Sequence, residues 1–240
     1  MPDVQIPTAR GTLPAYLSEP DGDRPRPGVV VVQDVFGLTP DIRRQADWLA
    51  AEGYLAVAPD LYSRGGLARC VPATLRTLMK GHGPAFDELH ATRAWLAGRP
   101  DCTGRIGVIG FCMGGSFALQ LAPTGGYAAS SVNYGRLPRD AERLLAGACP
   151  VVGSFGARDR SLRTAPTVLA AALTANDVPH EVTVYPEAAH GFLNDHRPGE
   201  LTRLGHALVR VTGGPHEPSA TDARRRIVTF FDRYLIGEAA

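Results

Sequence analysis

Short runs of β-branched residues alternate with segments of helical periodicity along most of this chain, and this alternation restricts its fold more than any other feature. Residues 28–34 contain the run VVVVQD, and residues 105–110 read RIGVIG. Such runs are typical of strands that are buried on both faces. Strands and helices in alternation predict an α/β fold, with a mostly parallel central sheet covered by helices on both faces.

The same pattern places the other elements. Further strands are predicted at 54–60, 129–134, 150–156 and 181–186. Thr39 and Pro40 are suited to begin a helix as N-cap and first-turn residue, and Gly53 is suited to end it. Helices are also predicted between the strand at 54–60 and Gly98, at 113–121, around 168–173, and at the end of the chain, where Ser219 and Asp222 match a capping box.

Length and composition favour a single globular domain over residues 1–240. Lys and Arg number 25 against 24 Asp and Glu, a net charge of +1, which predicts binding to neither nucleic acid nor an anionic membrane. The N-terminus lacks the apolar core of a signal peptide, and 18 apolar residues never run together, so we expect a cytoplasmic protein. The four cysteines lack metal-ligand spacing and are expected to be reduced thiols, with no metal bound.

The motif that carries chemistry is GFCMGG at 110–115, which follows one predicted strand and precedes a predicted helix. This is the G-x-nucleophile-x-G elbow in the context that gives it meaning, with Cys112 as the nucleophile. The helix N-terminus favours negative charge and so supports a thiolate or an oxyanion. The alternative is a buried structural cysteine beside a glycine-rich turn.

A nucleophile needs a base, and the base needs an acid that orients it. In this fold the three follow in the order nucleophile, acid, base. Asp159 comes just after the predicted strand at 150–156, and His190 comes shortly after the one at 181–186. Because active sites in such sheets lie beyond the carboxyl ends of the strands, Cys112, Asp159 and His190 are predicted to form a triad. The oxyanion would be held by the backbone N–H groups of Met113 and Val35.

These motifs resemble the dienelactone hydrolase family of the α/β-hydrolase superfamily. The matching segments are QDVFGL (33–38), DWLAAEGYLAVAPDLYSR (47–64), GFCMGG (110–115), GARD (156–159) and EAAHGF (187–192). The resemblance implies the α/β-hydrolase fold and a cytoplasmic, monomeric enzyme without a cofactor. It implies a small ester or lactone as substrate, and it assigns the triad to the same Cys112, Asp159 and His190.

The resemblance also suggests roles for other residues. Asp34 stands where the family has a glutamate that contacts the resting thiol, so it would oppose thiolate formation until substrate arrives. Arg64 matches the first of two arginines that hold a substrate carboxylate, whereas Asn194 replaces the second, which weighs against dienelactone itself. Phe36 and Tyr62 are candidates to line the pocket or to belong to the core. The stretch 196–218 is longer than in the family and is positioned to reshape or cover the site.

The predicted reaction is hydrolysis of a small ester or lactone through a thioester on Cys112. Two alternatives stay open. The first is a binding or signalling protein on a hydrolase scaffold, because a fold does not fix a function. The second is a redox protein that uses Cys112, for which Cys149 would have to serve as the resolving thiol.

Overall fold

The computed structural model describes residues 3–22 and 24–237, and within them eight strands form one sheet. The strands are β1 (Asp3–Thr8), β2 (Gly11–Ser18), β3 (Arg26–Val32), β4 (Leu55–Pro59), β5 (Cys102–Phe111), β6 (Ala129–Asn133), β7 (Val151–Gly156) and β8 (His180–Tyr185). Their order is β1-β2-β4-β3-β5-β6-β7-β8. Strand β2 runs antiparallel to both its neighbours, and all the other pairs are parallel. The predicted mostly parallel α/β sheet is confirmed.

Helices cover this sheet. They are α1 (Pro40–Ala51), α2 (Gly66–Lys80), α3 (Pro84–Ala97), α4 (Met113–Leu121), α5 (Ala141–Leu144), α6 (Ala165–Ala175), α7 (Arg203–Thr212) and α8 (Glu217–Phe231), with 3-10 turns at Ala122–Thr124 and Arg160–Leu162 and a π-helical turn at Asp232–Ile236. The run 29–32 in β3 is completely buried. Since successive strand residues point to opposite faces, both faces of the sheet must be covered.

The predicted start of α1 is confirmed, whereas that of the last helix is wrong. Thr39 caps α1 by accepting a hydrogen bond from the Ile42 N–H at 3.5 Å, and Pro40 is the first helical residue. The last helix begins at Glu217, ahead of the predicted capping box. Ser219 lies inside the first turn and hydrogen-bonds the His216 ring at 2.8 Å, so it does not cap the helix.

Two features were not predicted from the sequence. The hairpin of β1 and β2 lacks a continuous apolar run, because β1 is a half-exposed edge strand in which only Ile6 is buried. Helix α7 lies within the long 196–218 stretch. Its apolar residues Leu204, Leu208 and Val211 are exposed.

The parallel strands β3, β5, β6, β7 and β8 all end at one edge of the sheet, and this edge positions the candidate site. Among the described residues, no helix is both long and apolar enough to cross a bilayer. The assignment of residues 1–240 to a single domain stays a prediction.

Candidate active site

Cys112 lies at the sharp turn between β5 and α4, where its backbone is strained. Its φ of 54° and ψ of −112° lie outside the regions that residues with a Cβ ordinarily adopt. The Cys112 N–H donates to the Asn133 carbonyl at 3.1 Å, which fixes the turn against β6. Such strain is typical of functional positions, where the surrounding structure holds a side chain in one direction.

Two glycines make this turn sterically feasible. A Cβ on Gly110 would collide with the Gly114 carbonyl, and a Cβ on Gly114 would collide with the Val32 carbonyl. The first turn of α4 therefore packs directly against the ends of β3 and β5. This close approach explains in physical terms why the motif needs glycine on both sides of Cys112.

His190 and Asp159 come from loops after β8 and β7, and the structure brings them together beside Cys112. The His190 Nδ1 lies 2.6 Å from the Asp159 Oδ2, and the His190 imidazole lines the same cavity as Cys112. The other carboxylate oxygen of Asp159, Oδ1, accepts from the N–H and the hydroxyl of Ser161 at 2.9 and 2.7 Å. The structure thus brings Cys112, His190 and Asp159 together, with the imidazole hydrogen-bonded to the carboxylate.

The electrostatic surroundings of His190 favour the protonated form of its imidazole. Burial alone would lower the pKa of His190, but hydrogen bonds and charge from Asp159 and Cys112 raise it to about 10. Burial likewise raises the pKa of Asp159, but the hydrogen bonds from His190 and Ser161 outweigh it and hold the pKa below its ordinary value. The ionised acid therefore stabilises the imidazolium that forms when His190 accepts a proton.

A cavity of about 210 Å³ opens beside Cys112 and His190. Its walls come from the loop after β3, the elbow, the loop after β8, and helix α7 with the residues just beyond it. The lining residues are Asp34, Val35, Phe36, Cys112, His190, Gly191, Asn194, His196, Leu208, Val209, Thr212 and Gly214. The cavity is smaller than the roughly 300–1,000 Å³ of pockets for drug-sized ligands, so it suits a small molecule.

The two predicted oxyanion donors lie in suitable places. Val35 lines the cavity, and Met113 is the first residue of α4, whose N-terminus has no side-chain cap. The first N–H groups of a helix have no acceptor within it and can bind a negative charge. Their role in holding an oxyanion stays a prediction.

Asp34 does not have the contact with the thiol that the resemblance implied. Its carboxylate accepts from the Phe36 N–H at 2.7 Å and from the His196 Nε2 at 2.9 Å. The Asp34 side chain is shorter than glutamate and turns toward these partners, and both side chains are buried, with 3% exposure each. Asp34 is thus hydrogen-bonded to a histidine and faces the cavity as one half of a buried pair, and burial raises the pKa of its carboxyl above the ordinary value.

Asn194 lines the cavity, but both ends of its amide are already engaged. Its Oδ1 accepts from the Tyr134 hydroxyl at 2.6 Å, and its Nδ2 donates to the Asp41 Oδ2 at 2.6 Å. An amide held in this way has little freedom to turn toward a substrate. The structure therefore gives Asn194 a bridging position between α1 and the end of β6, at variance with the predicted substrate contact.

Arg64 lies away from the cavity, contrary to the prediction that it holds a substrate carboxylate. Its Nε donates to the Glu88 Oε1 at 3.1 Å, and its Nη2 reaches the Thr12 carbonyl at 3.3 Å. Glu88 is 4% exposed and needs a cation to compensate its buried charge. Arg64 is therefore paired with the buried Glu88 of α3 and does not lie in the site, where the motif predicted it.

We therefore expect Arg64→Ala to change stability and to leave substrate preference as it was. Removing one partner of a buried acceptor costs about 1–3 kcal/mol, and the second arginine on Glu88, Arg10 at 3.4 Å, would limit the loss. Chemical denaturation should show a lower free energy of unfolding for Arg64→Ala than for Arg10→Ala, whose side chain is more exposed. A changed preference between an anionic lactone and its methyl ester would contradict this expectation.

The aromatic candidates Phe36 and Tyr62 occupy different places in the structure. Phe36 lines the cavity and packs edge-on against the His196 ring, with centroids 5.2 Å apart. Tyr62 is buried outside the lining and directs its hydroxyl to the Met113 sulfur at 3.6 Å. Tyr62 thus belongs to the core beneath the elbow, which was the alternative considered for it.

Two residues at the site, His196 and Asp41, were not singled out from the sequence. His196 hydrogen-bonds Asp34, and Asp41 hydrogen-bonds Asn194. Only the unusual length of the 196–218 stretch pointed toward His196. One ligand atom from each of Asp34, Asp41 and His196 lies within 4.8 Å of the other two, close enough to hold a cation.

The carboxylates of Asp34 and Asp41 already have hydrogen-bond partners, whereas the buried Nδ1 of His196 has none among the described residues. Asp41 accepts from Asn194 and, at 2.9 Å, from the Asp195 N–H, and Arg44 lies 3.6 Å from its carboxylate. The negative charges are thus balanced by groups of the protein itself. We assign no metal to these residues.

Comparison with known proteins agrees with this geometry. The model of the dienelactone hydrolase family matches residues 13–235. A relative from Salmonella typhimurium named "Putative carboxymethylenebutenolidase" is 32% identical over 252 residues, 96% of this chain and 86% of its own length. A carboxymethylenebutenolidase from a Pseudomonas species is 35% identical over 136 residues, 52% of this chain and 55% of its own.

Solved structures give the same result. The crystal structure titled "Putative Dienelactone Hydrolase" from Klebsiella pneumoniae superposes with a TM-score of 0.79. It shares 29% sequence identity, and the match covers 97% of this chain and 98% of that one. The fold is therefore the α/β-hydrolase fold, as the sequence predicted. The chain belongs to the dienelactone hydrolase family, and it is a hydrolase that acts on lactones or esters.

Proposed function

We propose that this enzyme hydrolyses a small ester or lactone through a triad of Cys112, His190 and Asp159, with a thioester intermediate. The observation that carries the proposal is the His190–Asp159 hydrogen bond beside Cys112, at a cavity that Cys112 and His190 line together. Such a chain is the arrangement by which a base activates a weak nucleophile and an acid orients the base.

In the first half of the reaction, His190 takes the proton of the Cys112 thiol, and the sulfur attacks the carbonyl carbon of the substrate. The carbonyl oxygen becomes an oxyanion, which the N–H groups of Val35 and Met113 are placed to hold. As the tetrahedral intermediate collapses, the C–O bond to the alcohol breaks and His190 returns the proton to the leaving oxygen. A thioester on Cys112 remains.

In the second half, a water molecule attacks the thioester while His190 removes its proton. Collapse of this second tetrahedral intermediate breaks the C–S bond, and the sulfur leaves with the proton that His190 holds. Asp159 accepts the Nδ1–H throughout, which keeps Nε2 directed at the reacting atoms and stabilises the imidazolium. The raised pKa of His190 suits its part as proton donor in both collapses.

The redox alternative has little support from the positions of the thiols. Cys149 precedes the amino end of β7, whereas Cys112 follows the carboxyl end of β5, so the two lie at opposite edges of the sheet. Burial also raises the pKa of Cys149 to about 12, which is unsuited to a resolving thiol. From the resemblance to the family we also propose a monomeric enzyme, to be checked by light scattering.

The test is to screen the purified protein against small lactones, aryl esters and thioesters, and to trap the acyl-enzyme with an ester that deacylates slowly. We expect turnover and an adduct of the acyl mass on the peptide that contains Cys112. Cys149→Ala, which removes a thiol far from the cavity, should behave like the parent protein. Turnover with no acyl adduct on Cys112 would contradict the proposed intermediate.

A further inference from the structure

Helix α7 forms one wall of the cavity and is fixed to the loop that carries His190. Leu208 and Val209 face the cavity, together with Thr212 at the end of the helix. The Thr212 carbonyl accepts from the His190 N–H at 3.2 Å, and the His190 carbonyl accepts from the Gly214 N–H at 3.2 Å. The apolar side chains of this wall are thereby held at a set distance from the reacting atoms.

The charge around the cavity is distinctive. Among the residues described, none that lines the cavity is Lys or Arg. Arg64, which was predicted to hold a substrate carboxylate, is paired with Glu88, and Arg197 in the loop after β8 is paired with Asp195. The two histidines in the lining are each hydrogen-bonded to an acid, His196 to Asp34 at 2.9 Å and His190 to Asp159 at 2.6 Å.

A substrate carboxylate that binds in this cavity would lose hydration and would gain no ion pair with a Lys or Arg side chain of the lining. Burying an ionised carboxylate without such a partner is strongly unfavourable, whereas burying an apolar group against leucine and valine is favourable. The apolar wall and the absence of Lys and Arg from the lining therefore both favour a neutral substrate over an anionic one.

We infer that the site takes a small neutral ester or lactone, whose apolar group packs against Leu208 and Val209, and that Leu208 determines this specificity. The inference rests on the proposed function and names its substrate class. Leu208 is well placed for this role because it is 48% exposed and borders the cavity, so it contacts a substrate as it enters and after it is seated.

Two compounds discriminate between the possibilities: a γ-lactone that bears a carboxylate, and the same lactone with that carboxylate as its methyl ester. Ring opening of each is measured by chromatography. We expect kcat/KM for the neutral compound to be at least about 10-fold higher, since the unpaired carboxylate loses more than the ~1.4 kcal/mol that a tenfold ratio represents. Equal values, or a preference for the anion, would overturn the inference.

Two arginine variants on the same helix separate a cavity effect from a change in surface charge. Leu208→Arg should reduce the preference for the neutral compound by about 10-fold, because it supplies the missing charge-assisted contact. Val211→Arg adds the same charge at a position that is 86% exposed and outside the lining, so it should leave the preference unchanged. The same change in both variants would show that Leu208 has no special role.

Calorimetry on Cys112→Ala separates failure of this inference from failure of the proposed function. We expect that variant to bind the methyl ester in preference to the carboxylate even though it cannot turn either over. If the parent opened neither ring, the proposed function would fail, and the binding preference would still decide the inference. Absence of a binding preference for the methyl ester would reject the neutral substrate class by itself.

Discussion

Cys112→Ala should lose essentially all hydrolysis of esters and lactones while it keeps the fold. The loss expected for the nucleophile of a triad is about 10⁶-fold in kcat. The physical reason is local, because the elbow directs a single nucleophilic side chain into the cavity, and alanine there has nothing with which to attack. The measurement is single-turnover and steady-state hydrolysis of the best substrate from the panel.

Stability should hardly change in this variant. Cys112 is only partly buried, and alanine carries the same Cβ, so the strained φ of 54° is neither relieved nor worsened. Circular dichroism and thermal unfolding should therefore superpose closely on those of the parent. Cys149→Ala is the matched control, since it removes a thiol at the opposite edge of the sheet. A parent-like rate in Cys112→Ala would eliminate the whole mechanism.

The fold and the three candidate triad positions could be predicted because they depend on local patterns. Buried β-branched runs identify parallel strands, and parallel strands carry the residues that follow them to one edge of the sheet. Cys112, Asp159 and His190 each follow such a strand, so the topology brings them together whatever the details of packing. The glycines that flank Cys112 are part of the same local signal, since α4 could not approach β5 without them.

The wall of the cavity and the partners of its polar groups could not be predicted in this way. Arg64 lies on Glu88, which is 24 residues further along the chain, and Asp34 lies on His196, 162 residues away. Both pairings are set by which buried acid needs a partner, and a motif match carries no information about that. Helix α7 was not predicted although Leu204, Leu208 and Val211 recur at helical spacing. Its position beside the cavity is set by contacts that this spacing does not encode.

Asp159→Asn should reduce hydrolysis by about 10⁴-fold, by analogy with the serine triad. The structure indicates which way the new amide would turn. The Oδ1 of Asp159 accepts from the Ser161 N–H, and only the carbonyl oxygen of asparagine can replace it there. The amide NH₂ of the variant would then face the His190 Nδ1, where the carboxylate Oδ2 now lies at 2.6 Å.

That orientation reverses the tautomer of the imidazole. With a donor opposite Nδ1, His190 must carry its proton on Nε2, and the nitrogen directed at Cys112 can no longer accept the thiol proton. The pKa of His190 should also fall from about 10, because the hydrogen bond and the charge of Asp159 that help to raise it are lost. NMR titration of the imidazole measures this fall independently of activity. Asp195→Asn is the control, since that acid follows His190 in the same loop but is paired with Arg197 on the surface. If Asp159→Asn kept the parent rate and Asp195→Asn were slow, Asp195 and not Asp159 would orient His190.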